Sequence, residues 1–150
     1  MFLLPQLIDY PDKWALFDHP PAPTYSSGAF CLLGDAAHAS TPHCGGGAAF
    51  AIEDAHLLSG LLNPDLIRST SDFKYAFKAY DAVRRPRSQE LVTRSRENGR
   101  TFQMQGIDGR TSDTRDLYSK LEQTMKWVWE VDLEGMLDEA RVLMKKTESG

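Results

Sequence analysis

The sequence predicts an α/β chain in which two short strands are followed by a mostly α-helical segment. Residues 13–18 precede a proline-rich stretch and residues 29–33 form an apolar run between glycines, so both are predicted to be strands, the second one buried. Later segments repeat apolar residues at helical spacing. Because two strands do not form a stable sheet alone, we expect partner strands outside this chain to complete it.

The helices are predicted from their apolar periodicity and their end signals. The first opens at Gly45 to Gly47, runs to about Leu62 and is closed by Asn63 and Pro64. The next covers residues 72–85, and Pro86 is expected to kink or break it because proline lacks the amide hydrogen. Further helices are predicted at residues 87–104, 117–129 and 133–146, with a polar loop at 106–114.

The composition favours a soluble globular protein over a nucleic-acid-binding or membrane-spanning one. The 150 residues suffice for one domain, and 41% hydrophobic and 25% charged residues are typical of a soluble globular chain. A net charge of -4 disfavours nucleic-acid binding. The apolar start, residues 1–8, is too short to span a membrane and lacks the features of a signal peptide. Two cysteines, Cys31 and Cys44, form no disulfide framework, so we expect a cytoplasmic location.

The stretch from residue 34 to residue 48 carries the strongest functional signal. Asp35 follows the apolar run directly, and a carboxylate just past a strand end lies where α/β folds usually bind ligands. Its two acceptor oxygens suit the hydroxyls of a sugar or ribityl chain. Pro42 fixes the direction of the following loop, and Gly45, Gly46 and Gly47 let backbone approach a ring closely. The helix that follows points free amides at that position.

These residues resemble the second flavin-contacting motif of the salicylate hydroxylase-like FAD-dependent aromatic monooxygenases. The likeness covers roughly residues 14–143 and is sharpest in the centre, where family members often carry Ala at the position of Gly46. The matching motif consists of Gly34-Asp35-Ala-Ala-His38, Pro42-His43, Gly45-x-Gly47 and Ile52-Glu53-Asp54-Ala55.

The resemblance implies a set of cofactor-binding residues. Asp35 would hold the ribityl chain of FAD, and Pro42 would lie near the flavin ring where oxygen reacts. The amides from about Gly45 to Ala49, including those of Gly46, Gly47 and Ala48, would meet the pyrimidine edge of the ring. No catalytic side chain and no metal ligand is assigned.

The resemblance also implies the activity: reduction of FAD by NAD(P)H, then hydroxylation of a small aromatic or polyketide-like molecule. The family's first motif, Gly-x-Gly-x-x-Gly, is absent from these 150 residues. Residues 1–150 are therefore expected to be the C-terminal portion of a single FAD-binding, Rossmann-like monooxygenase domain. A second chain could supply the dinucleotide-binding half. The alternative is a non-catalytic remnant or interaction subunit.

Two rival chemistries involve the same stretch. Cys44 precedes a helix N-terminus that could lower the pKa of its thiol, so a Cys44-dependent hydrolase with His38 as base is a second enzymatic hypothesis. The simpler interpretation is a small buried cysteine, which we favour. Zinc binding by Cys31, His38, His43 and Cys44 is disfavoured because the spacings match no known zinc motif.

The remaining charged residues are expected to be structural. Glu53 and Asp54 lie in the first turns of a helix, where they favour its dipole. The six arginines between residues 84 and 100 are predicted to form a solvated, salt-bridged helix face. By resemblance, His38 is expected to hydrogen-bond backbone near the loop, and Trp127 and Trp129 are interpreted as packing residues.

Overall fold

The computed structural model describes residues 10, 12, 14–103 and 114–148. Within them, two short antiparallel strands, β1 (Ser26–Ser27) and β2 (Phe30–Cys31), form one hairpin, with Ser26 opposite Cys31 and Ser27 opposite Phe30. Gly28 turns the hairpin at a φ of 59°, which favours glycine. Helices make up most of the remainder, so the predicted fold class is confirmed.

The positions of the predicted strands are wrong. Residues 14–18 have no regular structure; instead this segment is tied to the helices by Asp18, which pairs with Arg96, and by the amide of His19, which donates to the carbonyl of Ala39 at 2.9 Å. The predicted buried strand at 29–33 is reduced to Phe30–Cys31, and the side chain of Phe30 is 81% exposed. No described strand pairs with the outer edge of β2.

The helices follow the predicted order with small shifts at their ends. The turn Pro42–Cys44 is a single 3-10 turn. The polar loop at 106–114 and the apolar start at 1–8 lie outside the described residues, apart from Thr114. The α-helices are α1 (Asp35–His38), α2 (Gly47–Leu61), α3 (Asp72–Phe102), α4 (Thr114–Trp129) and α5 (Leu133–Glu148).

Helix α3 is continuous, so the predicted break at Pro86 is wrong. Pro86 cannot donate a backbone hydrogen bond, but buried residues on both sides of it hold the helix in place. On the side before it, Tyr80 and Arg84 are fully buried; on the side after it, Ser88 and Leu91 are fully buried. The hydroxyl of Ser88 donates to the carbonyl of Arg84 at 3.0 Å and thus spans the proline. Tertiary packing therefore overrides the local helix-breaking effect.

Two clusters of buried side chains form the core. The larger lies where α2, α3 and α5 pack together, and α2 comes so close to α5 at Gly60 that a Cβ there would lie 2.6 Å from Leu137. The smaller cluster lies below the glycine loop and consists of Cys44, Phe50, Leu91 and Val128, with Trp127 against it. No described helix is both long and apolar enough to cross a bilayer.

Candidate functional site

The predicted site residues line one open cavity of about 450 Å³. Its lining comes from the first turn of α2, from the start of α1 and from the 3-10 turn with the residues before it. Asp35, Pro42, Gly45, Gly46, Gly47 and Ala48 all line it, together with Ser40, Thr41 and Ala51. The structure thus brings these six predicted residues together, although Ala49 is not part of the lining; their role in binding a ligand remains a prediction.

Asp35 is the only acidic side chain in this lining, and it is exposed to solvent. It begins the single turn of α1 directly after Gly34, whose φ of 57° and ψ of -142° are readily accessible only to glycine. The amides of Ala37 and His38 both donate to the Gly34 carbonyl at 2.9 Å, which closes the turn. The carboxylate of Asp35 therefore lies at the cavity, where it can accept hydrogen bonds.

The first turn of α2 contributes unpaired backbone donors to the cavity. The first hydrogen bond of α2 runs from the amide of Phe50 to the carbonyl of Gly46 at 2.9 Å, so the amides of Gly47, Ala48 and Ala49 have no acceptor within the helix. Gly45 adopts a φ of 61°, and a Cβ built on it would meet no atom within 4 Å. The loop therefore presents bare backbone to the cavity, and the positive end of the α2 dipole lies behind it.

The 3-10 turn is anchored to α3 from below. The hydroxyl of Ser95 donates to the carbonyl of Thr41, and the hydroxyl of Thr41 donates to Ser95 Oγ at 3.1 Å. His43 Nδ1 lies 3.0 Å from the same Thr41 hydroxyl. A Cβ on Gly99 would come within 2.7 Å of the His43 ring, so glycine is needed there for α3 to approach the turn. These contacts fix the backbone on either side of Pro42.

A buried ion network supports the cavity from the interior. The carboxylate of Asp54 is fully buried; its Oδ2 accepts from the amide of Gly34 at 2.8 Å and lies 2.7 Å from His38 Nε2. Its Oδ1 accepts from Arg84 Nε at 2.8 Å. An ionised carboxylate can only accept hydrogen bonds, so Nε2 of His38 carries the hydrogen. One carboxylate therefore connects α1, α2 and α3.

Burial alone raises the pKa of the Asp54 carboxyl. The hydrogen bonds from His38 and the Gly34 amide, together with Arg84, outweigh that effect and hold its pKa below the ordinary value of 3.8. Asp54 is consequently ionised at neutral pH, and it compensates the charge of Arg84, which is also fully buried.

The network continues through Glu53 to α4. Arg84 Nη1 donates to Glu53 at 2.6 Å, and Arg87 donates to the same carboxylate at 2.9 and 3.0 Å. Arg87 also donates to the backbone carbonyls of Trp127 and Val128, while its guanidinium lies 4.5 Å from the centre of the Phe50 ring. The end of α4 is thereby held beneath the glycine loop.

Several sequence expectations are corrected by this network. Glu53 and Asp54 are buried partners of arginines rather than residues that mainly favour the helix dipole. Arg84 is fully buried rather than part of a solvated face, although Arg85 and Arg94 do form surface pairs. The ring of His38 pairs with the carboxylate of Asp54, not with a backbone group. Trp127 packs as expected, on Phe50, whereas Trp129 is 59% exposed.

Cys44 lacks the environment of a nucleophile. Its side chain is buried in the smaller core cluster, and this burial raises the pKa of its thiol despite hydrogen bonds from Ser95 and Asn98. His38, the base of the hydrolase hypothesis, is already held by Asp54. That hypothesis is therefore unsupported. Among the described residues, no three potential ligands are grouped so as to hold a metal ion.

The donor and acceptor set of the cavity fits FAD. The Asp35 carboxylate could accept hydrogen bonds from a hydroxyl-rich chain, and the amides that begin α2 could donate to an electron-rich ring edge. The absence of a Cβ at Gly45 and Gly47 leaves room for a flat ring against the backbone.

Comparison with known proteins also indicates an FAD-binding protein. A family model described as an FAD binding domain matches residues 17–95. The chain is 40% identical to 6-methylsalicylate 1-monooxygenase atA of Aspergillus terreus, over 86% of this chain and 28% of that protein. It is 36% identical to salicylate hydroxylase of Pseudomonas putida, over 93% of this chain and 32% of that protein.

A solved structure points to the same family. The fold superposes on a salicylate hydroxylase substrate complex with a TM-score of 0.76 at 41% identity, covering 85% of this chain and 30% of the other. The chain thus spans roughly a third of the length of these relatives. The chain belongs to the family of FAD-dependent monooxygenases that includes salicylate hydroxylase.

Proposed function

We propose that this chain forms the ribityl- and ring-binding side of an FAD site in an NAD(P)H-dependent monooxygenase. The carrying observation is that Asp35 and the residues that begin α2, whose amides are free, line one cavity of about 450 Å³. The substrate would be a small aromatic or polyketide-like molecule, as the names of the salicylate and 6-methylsalicylate enzymes suggest. The two free cysteines agree with a cytoplasmic location.

Each residue of the cavity has a distinct proposed task. Asp35 accepts hydrogen bonds from ribityl hydroxyls, and the amides of Gly47 and Ala48 donate to the pyrimidine edge of the ring. The α2 dipole stabilises negative charge on that edge. Pro42 restricts the loop beside the ring. When bound, FAD supplies the redox chemistry, including the transfer of electrons from NAD(P)H to oxygen.

The adenosine and pyrophosphate contacts would come from sequence outside these 150 residues. We propose that this further portion, in a longer chain or in a second chain, also packs against the hairpin. Three apolar side chains on β2, just after it and on α2 are exposed: Phe30 at 81%, Leu33 at 43% and Ile52 at 68%. The outer edge of β2 is also free among the described strands. Added strands there would complete the predicted sheet.

An FAD titration followed by flavin fluorescence tests the proposal. We expect saturable binding by the parent chain, and about 10- to 100-fold weaker binding by Asp35→Ala, because a hydrogen bond to a charged acceptor is worth about 1.5–3 kcal/mol. Asp65→Ala is the matched control, since Asp65 is also an exposed aspartate but lies after α2, outside the cavity. Its affinity should equal that of the parent chain.

Two outcomes would contradict the proposal. Equal affinity of the parent chain and Asp35→Ala would remove Asp35 from the site. A parent chain that binds no FAD would contradict the claim that this portion binds the cofactor alone and would favour the non-catalytic remnant.

A further inference from the structure

The turn that carries Asp35 is held at both ends by one atom. Helix α1 is a single turn of four residues and has few hydrogen bonds of its own. The backbone amide before it, that of Gly34, and the side chain that ends it, His38, both lie within 2.8 Å of Oδ2 of Asp54. The position of Asp35 between them therefore depends on where that carboxylate stands.

The same carboxylate is carried by α2, the helix whose first turn lines the cavity. Asp54 lies on α2, about two turns after Gly47, where the free amides begin. An α-helix is stiff over two turns, so Asp54 links the Asp35 turn rigidly to those amides. The separation between the acceptor on α1 and the donors on α2 is thus set through a single side chain.

Arg84 fixes the orientation of the Asp54 carboxylate. Its guanidinium is fully buried and donates Nε to Oδ1 of Asp54 at 2.8 Å, while Nη1 donates to Glu53. Oδ2 of Asp54 is thereby turned toward Gly34 and His38. The two neighbouring acids therefore differ in their contacts. Asp54 contacts α1, whereas Glu53 accepts hydrogen bonds from Arg84 and Arg87 on α3.

We propose that Asp54 is a positioning residue for the cofactor, acting through Asp35 by holding the α1 turn at a fixed distance from the first turn of α2. This role rests on the proposed function, because it sets the width of the FAD site. Asp54 does not itself line the cavity. Its effect on the flavin is therefore indirect, and it should disappear when the Asp35 carboxylate is absent.

Hydrogen exchange of the full chain without flavin tests the first half of the inference. In Asp54→Asn, we expect the amides of residues 34–39 to exchange at least about tenfold faster, because the turn loses its charged acceptor. Asp72→Asn is the matched control: Asp72 is also a buried aspartate whose carboxylate accepts from two backbone amides, but these are the amides of Arg68 and Ser69, just before α3 and outside the Asp54 network. Its exchange over residues 34–39 should stay within about twofold of the parent.

A second variant guards against global unfolding. His38→Leu removes one of the two attachments but leaves the pair between Asp54 and Arg84 intact, so the fold should survive. We expect faster exchange confined to residues 34–39. Unchanged exchange of this turn in both Asp54→Asn and His38→Leu would overturn the inference.

A double-mutant cycle on FAD affinity tests the second half. Asp54→Asn should weaken FAD binding about tenfold in the parent chain and should have no further effect in the Asp35→Ala background. If the two effects multiply instead, Asp54 does not act through Asp35 and the inference fails. If the parent chain binds no FAD, the proposed function fails for this chain, and the exchange experiment still decides whether Asp54 holds the turn.

Discussion

Adjacent glycines of the loop, Gly46 and Gly47, should respond in opposite ways to replacement by alanine. A Cβ on Gly46 would lie 3.1 Å from Leu91 Cδ1 and 3.2 Å from Val128 Cγ1, both in the smaller core cluster. Carbon atoms prefer about 3.5–4.0 Å, so the neighbours must move. A Cβ on Gly47 would have Ser40 Oγ as its nearest neighbour, at 3.9 Å, which is an ordinary contact.

The expected magnitudes follow from this geometry. Overpacking costs about 1–3 kcal/mol, whereas exchanging glycine for alanine at an unstrained position gains about 0.4–1 kcal/mol by restricting the unfolded chain. The φ of Gly46 is -101°, so alanine adds no backbone strain there. Gly46→Ala should therefore lower the free energy of unfolding by about 1–2 kcal/mol. Gly47→Ala should raise it by up to about 1 kcal/mol.

Urea unfolding of the two variants beside the parent chain measures the change in free energy, and thermal unfolding measures the change in Tm. We expect the Tm of Gly46→Ala to fall by about 2–8 °C and that of Gly47→Ala to stay level or rise. Val128→Ala should cost less in the Gly46→Ala background than in the parent, because it removes the crowded methyl group. If Gly46→Ala is as stable as the parent, the close packing of α4 beneath the loop is refuted.

Two further predictions concern buried titratable groups. Burial raises the pKa of the Cys44 thiol, and it raises the pKa of the Cys31 thiol to about 12. A thiol-reactive dye at pH 8 should therefore label neither cysteine until the chain is unfolded. Rapid labelling of the native chain would contradict this prediction. The pKa of Asp54 is lowered, so its ionised form stabilises the fold fully above about pH 4–5, and this stabilisation is lost as the pH falls through the native pKa. The difference in free energy of unfolding between the chain and Asp54→Asn should shrink from pH 6 to pH 3, and a constant difference would show that the charge is not what matters.

The cavity lining was predictable because it is local in sequence. Its residues all lie between positions 35 and 51, and turn chemistry alone places a glycine loop next to a helix start. The short strands were harder to locate. Residues 29–33 have the composition of a buried strand, but a strand is fixed by its partners, and within the described part of the chain β1 alone pairs with β2. Pro86 shows the same limit of prediction from local sequence: it predicted a break, but packing on both sides of it keeps α3 continuous.

The support beneath the cavity was not predictable, because its contacts join residues far apart in sequence. His38 and Asp54 are separated by 16 residues, and Asp54 and Arg84 by 30. An acidic residue near a helix start and an arginine on a later helix each have an ordinary surface explanation. Only the fold reveals that both are buried and paired. One signal was available: Glu53 and Asp54 are adjacent on a helix whose neighbouring positions are apolar, which is costly unless cations reach them.

The contrast between a cavity lining that is local in sequence and a support that is not explains how a simple sequence pattern can give a well-defined site geometry. Backbone amides and one carboxylate supply the binding chemistry, and such groups need only the right local turn. Holding them at a fixed separation needs rigid support, and here Asp54, Arg84 and Arg87 provide it from α2 and α3. A buried ion pair adds little net stability over apolar packing, but removing one partner is costly. The buried network is therefore better explained by the geometry it imposes on the cavity than by the stability it adds.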